Sequence, residues 1–190
     1  MAILHLIIPV FWVIFLIYWA VSALRAKQSV GGTVWWRHAA LRLSILVLVV
    51  LAWLIPDVHR ILGRALAHES DDVLTGVIGA VVVALGLGLA IYARIYLGRN
   101  WGMPMSRKQN PELVTGGPYA FIRHPIYGGV ILAMLGSAIG LGLVWVPPLV
   151  GFGAYFIYSA RREEEFMIQQ FGEIYRAYMR QTKMLVPYVL

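Results

Sequence analysis

Two stretches of this chain hold most of its chemically versatile side chains. The first, Leu113-Val114-Thr115-Gly116-Gly117-Pro118-Tyr119-Ala120-Phe121-Ile122-Arg123-His124-Pro125-Ile126-Tyr127-Gly128-Gly129, joins a Gly-Gly-Pro turn to a His-Pro pair and two tyrosines. The second, Arg161-Arg162-Glu163-Glu164-Glu165-Phe166-Met167-Ile168-Gln169-Gln170-Phe171-Gly172-Glu173-Ile174-Tyr175, places three glutamates behind two arginines. Carboxylates of this kind accept charge-assisted hydrogen bonds from ammonium or hydroxyl groups. The chain contains no cysteine, which excludes thiolate catalysis, disulfides and Cys-ligated metals or clusters. The polar groups can act together only if the elements carrying them bring the two stretches to one place.

Those elements are apolar. A chain of 190 residues that is 60% hydrophobic and 13% charged, with a mean hydropathy of +0.73, has more apolar surface than one globular core of this length can hide. The bilayer is the natural solvent, and the expected fold is an all-α polytopic membrane protein with about five transmembrane helices. The spans run from about Ile3 to Leu24, Leu43 to Ile55, Val73 to Leu97, Ile126 to Leu143 and Pro147 to Tyr158. A barrel is excluded because these runs are continuously apolar rather than alternating. The second span is short and extends back through Ala39 and Ala40 if Arg42 snorkels; Arg94 must lie near the end of the third. Trp145, Pro147 and Pro148 mark a tight turn that makes a hairpin of the last two helices. Gly136 and Gly140 have the small-xxx-small spacing of close helix packing. The N-terminus lacks the basic n-region of a secretory signal and is expected to be a retained helix.

Five spans put segments 25–42, 94–125 and 159–190 on one side of the membrane and 57–72 on the other. Of the sixteen Lys and Arg residues, all but Arg60 and Arg64 fall on the first side. The positive-inside rule makes that side cytoplasmic, with the N-terminus outside and the C-terminal segment inside. The net charge of +7 is then accounted for by a basic juxtamembrane surface facing anionic lipids, without nucleic acid. Because a helical hairpin returns the chain to the face it left, His124 and the glutamates are expected to meet. Singly, each group has a plainer reading: Arg123-His124 as ordinary juxtamembrane basicity, and the glutamates as a solvated face with an Arg161–Glu165 pair.

The pattern Gly116-x-Pro118-Tyr119, Arg123-His124-Pro125-x-Tyr127, Glu163-Glu164 and Phe171-Gly172-x-x-Tyr175 resembles the isoprenylcysteine carboxyl methyltransferase family, with the phospholipid N-methyltransferases related through the same half. The match is specific for the last ninety or so residues. It implies S-adenosyl-L-methionine as methyl donor and a lipid-like or isoprenoid acceptor. The segments outside the membrane reach only about 30 residues, too few for a soluble nucleotide-binding domain, so a cofactor site must be built at the membrane face. Carried over by position, Leu113, Val114, Gly117, Tyr119, His124, Tyr127, Glu163 and Glu164 would bind the cofactor, and Gly128 and Gly129 would leave room for it. Arg123, Tyr127 and Arg162 would be catalytic, with no metal. Residues 1–97 would form the lipid-substrate side and 98–190 the cofactor half, including an amphipathic C-terminal segment, in a single integrated domain.

One departure bears on the acceptor. The carboxyl methyltransferases carry an arginine at the position of Ser159, where it would pair with the substrate carboxylate, and Arg162 is the expected substitute. An amine acceptor, as in phospholipid N-methylation, would not need it. A reading from another class is a small transporter or membrane-assembly protein with structural charge clusters. It predicts that alanine at His124 and Glu164 lowers stability without changing any ligand affinity.

Overall fold

The computed structural model describes residues 2–23, 29–30, 72–98, 107–108 and 112–186. Five α-helices lie within them: α1 Ala2–Ala23, α2 Val73–Leu97, α3 Pro125–Leu141, α4 Val146–Phe171 and α5 Glu173–Gln181. The expected span at 43–55 and the 57–71 segment fall outside the described residues.

Helix limits follow local chemistry. Asp72 caps α2, its carboxylate accepting from the Leu74 and Thr75 amides at 3.2 and 3.3 Å, as a short acidic side chain does at the N-cap. Pro125 opens α3, where its missing N–H costs nothing. Gly98, Gly142 and Gly172 close α2, α3 and α4 with φ of 55°, 92° and 56°, a region open to glycine and costly for other residues. The helix expected to stop near Tyr158 instead continues to Phe171. Residues 159–171 contain neither proline nor glycine, so nothing breaks the helix before Gly172. The charged run is therefore a rigid extension of an apolar helix rather than a loop.

Glycines set the distance between α2 and α3. A Cβ on Gly86 would stand 2.5 Å from the Ala133 nitrogen and the Gly129 oxygen, and one on Gly79 2.5 Å from the Gly140 Cα. Gly136 fits the same seam against Val83 and Gly79. The expected packing role of Gly136 and Gly140 is thus realised, with α2 as the partner. Gly88, on the exposed side of α2, has nothing within 4 Å. Gly86→Ala should therefore lower stability by about 1–3 kcal/mol through overpacking against backbone. Gly88→Ala should be neutral or stabilising by up to about 1 kcal/mol. Thermal unfolding of the two variants in detergent checks the contrast, and equal behaviour would remove the seam as the explanation.

Helix α1 joins this pair through Trp12, whose Nε1 donates to Ser137 Oγ at 3.0 Å and whose ring stacks on Trp145. Arg94, buried near the end of α2, donates to the Ser22 carbonyl at 2.7 Å and to the Gly98 carbonyl at 2.7 Å. It thereby ties off orphan carbonyls at the C-terminal ends of both helices. Ile8 and Gly79 both meet Gly140 at the other end. So α1 and α2 run parallel and α3 antiparallel to them. The expected placing of Arg94 near a helix end also holds. Residues Ser29–Val30 pair with Arg107–Lys108 in a short antiparallel ladder, which joins the two segments assigned to the same side.

Apolar side chains face outward: Ile14 and Ile17 on α1, Ile78, Val81 and Leu85 on α2, and Val150 and Phe152 on α4 are exposed. Two helical stretches among the described residues, Val73–Leu97 and Leu143–Phe171, are long and apolar enough to cross a membrane. An exposed apolar surface of this extent suits hydrocarbon better than water.

Candidate functional site

The α3–α4 hairpin brings the start of α3 beside the charged extension of α4. His124 occupies the N-cap position of α3 but makes no capping bond through its side chain, which leaves both ring nitrogens for other partners. Nε2 lies 3.3 Å from Glu164 Oε1 and Nδ1 3.6 Å from Glu163 Oε2. Three residues on, the Tyr127 hydroxyl donates to Glu163 Oε1 at 2.6 Å. The His124 and Tyr127 rings are parallel, with centroids 5.5 Å apart, and Phe156 of α4 also stacks with Tyr127, at 4.8 Å. The expected meeting of His124 with the glutamates is realised by residues forty positions apart in sequence.

The C-terminal segment locks this arrangement. The Arg123 and His124 amides donate to the carbonyls of Lys183 and Met184 at 2.8 and 3.0 Å, a short parallel pairing centred on Ile122 and Lys183. Arg123 Nε donates to Glu164 Oε1 at 2.6 Å, and both side chains are about nine-tenths buried. Its Nη1 donates to the carbonyls of Thr182 and Met179, which are left unpaired at the end of α5. Tyr178 donates to the Tyr119 carbonyl at 2.6 Å, and the Tyr119 hydroxyl to the Ala93 carbonyl at 3.4 Å. Burial pushes the Tyr178 hydroxyl up to about 12 against the opposing pull of Arg123. Burial likewise raises Tyr119 and Tyr175, the latter with help from Glu164. Tyr119 and Tyr178, each with its hydroxyl bonded to a backbone carbonyl, are fixed, protonated struts.

Several expected site residues are thus committed to the protein itself. Arg123 is a structural clamp, and Tyr119 has its hydroxyl on α2. Arg162, expected to reach the site, lies on the exposed face of α4 and pairs with Glu165 at 2.6 Å. The reason is helical geometry: Phe156, Ser159 and Glu163 share the stripe that faces α3, and Arg162 falls off it. The glutamate run is paired through Arg162 rather than through Arg161. Gly128 and Gly129 leave room for protein rather than ligand, since a Cβ there would meet the Leu185 carbonyl at 2.8 Å and the Gly86 carbonyl at 2.6 Å. The Tyr96 ring covers Gly116 and Gly117 closely on the side a Cβ would take. Leu113 and Val114 are both half-buried, and Val114 packs against the apolar core group that includes Tyr119 and Tyr127.

Sequence reasoning missed Phe156, Tyr178 and Thr182. Nothing but the helical spacing of Phe156 to Glu163 could have pointed to the first. Glu163 is the more exposed of the two clustered carboxylates, bonded to Tyr127 and close to the His124 imidazole beside the aromatic stack. Glu164, more deeply set, holds Arg123 and His124 in place.

Residues 74–174, more than half of the chain, match the model of a family described as phospholipid methyltransferase. The protein-S-isoprenylcysteine O-methyltransferase of Schizosaccharomyces pombe is 29% identical over 111 residues, covering 56% of this chain and 47% of that protein. The cobalt-zinc-cadmium resistance protein CzcN of Cupriavidus metallidurans is 31% identical over 106 residues, 54% and 49% of the two chains. Methanethiol S-methyltransferase 1 of Bradyrhizobium diazoefficiens is 31% identical over 87 residues, 41% and 27% of the two chains. The aligned region thus spans about half or less of each relative's own length.

Proposed function

The chain belongs to the phospholipid methyltransferase family, and from that premise we propose that it is an integral membrane enzyme transferring a methyl group from S-adenosylmethionine to a lipid-like acceptor. The observation that carries the reading is the cluster of His124, Tyr127, Glu163 and Glu164, formed at the end of an apolar hairpin.

The residues present fit such a donor. Glu163, the more exposed of the two carboxylates, suits an ammonium or ribose hydroxyls. The Tyr127–Phe156 stack supplies a flat apolar wall. S-adenosylmethionine, when bound, supplies a methyl on a sulfonium, transferred as the S–CH3 bond breaks and the acceptor's lone pair forms the new bond, leaving a neutral thioether. The chain's own part is to align the nucleophile and strip water from it. His124, held between two carboxylates, and Tyr127, held by Glu163, keep the wall of the site in one orientation. The outward apolar faces of α1, α2 and α4 let a lipid-like acceptor approach from the bilayer. The distribution of Lys and Arg supports a cytoplasmic site and C-terminal segment.

For the acceptor group, the expected carboxylate agrees with the name of the Schizosaccharomyces pombe relative, an O-methyltransferase. A second reading, an amine acceptor, is favoured by one observation: Arg162 points away and Arg123 is clamped, so neither of these two guanidiniums is placed for an acceptor carboxylate. Purified protein should bind S-adenosylmethionine in calorimetry and, given the labelled donor and native lipid extract, should label a lipid. Mild base releases the label from an ester and leaves a methylated amine intact. Folded protein that binds no donor at high micromolar concentration would remove the proposal.

A further inference from the structure

The C-terminal segment carries a surface that the methyl-transfer site does not use. Helix α5 buries Tyr175, Tyr178 and, just past its end, Thr182, residues three to four apart on one face. Its opposite face and the segment that follows expose Arg180, Lys183 and Val186. Phe121, 64% exposed, adjoins them. The Lys183 amide donates to its carbonyl at 3.4 Å, and the Lys183 carbonyl accepts from the Arg123 amide at 2.8 Å.

The depth of these residues follows from α3. Lys183 is paired in parallel with Ile122, three residues before Pro125 opens that apolar helix. Two residues on, the Leu185 carbonyl stands 2.8 Å from where a Gly128 Cβ would be, so the chain from Lys183 to Val186 runs beside the first turn of α3 toward its apolar interior. Along that direction come Arg180, then Lys183 beside Phe121, then Val186, with charge first and apolar groups last. A leaflet presents phosphate and then acyl chain in the same order. The charge balance agrees. Residues 173–186 hold Arg176, Arg180 and Lys183 against one carboxylate, Glu173, and Arg176 takes that carboxylate at 2.6 Å. Arg180 and Lys183 have no ion pair among the described residues. A soluble acidic partner accounts for the two cations alone; lipid accounts for the cations, the exposed Phe121 and Val186, and their depth together.

We propose that Arg180 and Lys183 hold the phosphate of an anionic phospholipid of the surrounding leaflet, with Phe121 and Val186 against its upper acyl chains. Long basic side chains reach phosphate while their stems stay in apolar surroundings. This lipid sits at the edge of the protein and is not the methyl acceptor. It tethers to the membrane surface the segment whose carbonyls receive the Arg123 and His124 amides.

The chain has no cysteine, so single cysteines carry a fluorophore without background. Phe121→Cys places the label at the proposed surface, and Gln169→Cys places it on the exposed side of α4, about 7.5 Å further along the helix than Glu164. In nanodiscs of equal parts phosphatidylcholine and phosphatidylglycerol, the label at 121 should be quenched by brominated phospholipid and shielded from aqueous acrylamide, and the label at 169 the reverse. Brominated phosphatidylglycerol should associate with the 121 label at least about fivefold more strongly than brominated phosphatidylcholine, the effect of one basic residue at an anionic surface. High salt should reduce that preference. Arg180→Gln/Lys183→Gln should abolish it, with the melting temperature in detergent unchanged and S-adenosylmethionine affinity within about twofold of wild type. Arg180→Lys/Lys183→Arg, which keeps both charges, should retain it. A 121 label as open to acrylamide as the 169 label places the surface in water, where a soluble acidic partner is its occupant, and overturns the proposal. So does a preference that survives the loss of both cations. Either result leaves the methyltransferase reading standing, since donor binding by the wild type decides that separately.

Discussion

Arg123→Ala should be among the most destabilising substitutions in this protein, costing about 3–5 kcal/mol, the range for removing one partner of a buried ion pair. The guanidinium does two jobs at once. It neutralises Glu164 at 2.6 Å in a setting where both side chains are about nine-tenths buried. It also takes up the Thr182 and Met179 carbonyls at the end of α5. Alanine leaves a buried carboxylate facing only His124, and the last helix loses its cap. Lysine should not rescue, since one ammonium cannot reproduce the forked geometry. The double variant Arg123→Ala/Glu164→Ala should recover part of the loss, because the stranded charge goes with its partner. Arg176→Ala, which breaks the exposed pair with Glu173, should have no measurable effect. Thermal unfolding in detergent reads all four variants, and an Arg123→Ala protein as stable as the Arg176→Ala control contradicts the clamp.

The second large effect is expected on donor affinity. Glu163→Ala should weaken S-adenosylmethionine binding about 100-fold, which matches the roughly 1.5–3 kcal/mol of a hydrogen bond to a charged group. Glu165→Ala should leave it unchanged, since Glu165 is exposed and paired with Arg162 on the opposite side of the helix. Calorimetry separates these two carboxylates, which stand two residues apart in the same run. Glu163 is also the partner of the Tyr127 hydroxyl, so Glu163→Gln, which preserves an acceptor oxygen there, should retain the stacked rings while losing the charge. If Glu163→Ala binds donor as wild type does, Glu163 is a prop for Tyr127 and the donor is held elsewhere.

Chain order and polarity were enough to bring His124 and the glutamates together. A hairpin must return to the side it left, and only the Trp145-Val146-Pro147-Pro148 turn separates its two apolar arms. Apolar run length likewise set the limits of α1 and α2 to within a residue or two. The 43–55 span lies outside the described residues and is untouched by that agreement. The end of α4 was less legible, because a drop in hydropathy marks where a membrane stops and not where a helix does. Backbone hydrogen bonding carries a helix on until a residue such as Gly172 ends it.

The roles within the site divide in the same way. Chain order and polarity determined that carboxylates and an imidazole would cluster at one end of an apolar hairpin, and Tyr127 entered through the family resemblance. Only the tertiary structure decided which partner each member takes. Arg123 and Arg162 are equally basic in the sequence, yet one is clamped beneath the C-terminal segment and the other faces outward, because helical phase and the pairing of 121–124 with 183–184 dictate their directions. Gly128 and Gly129 read as room for a cofactor until α2 and the C-terminal segment occupy that room. The physical reason is common to all of these cases. Polarity and periodicity are properties of a segment, whereas the partner that satisfies a hydroxyl, a guanidinium or a missing Cβ comes from a distant part of the chain.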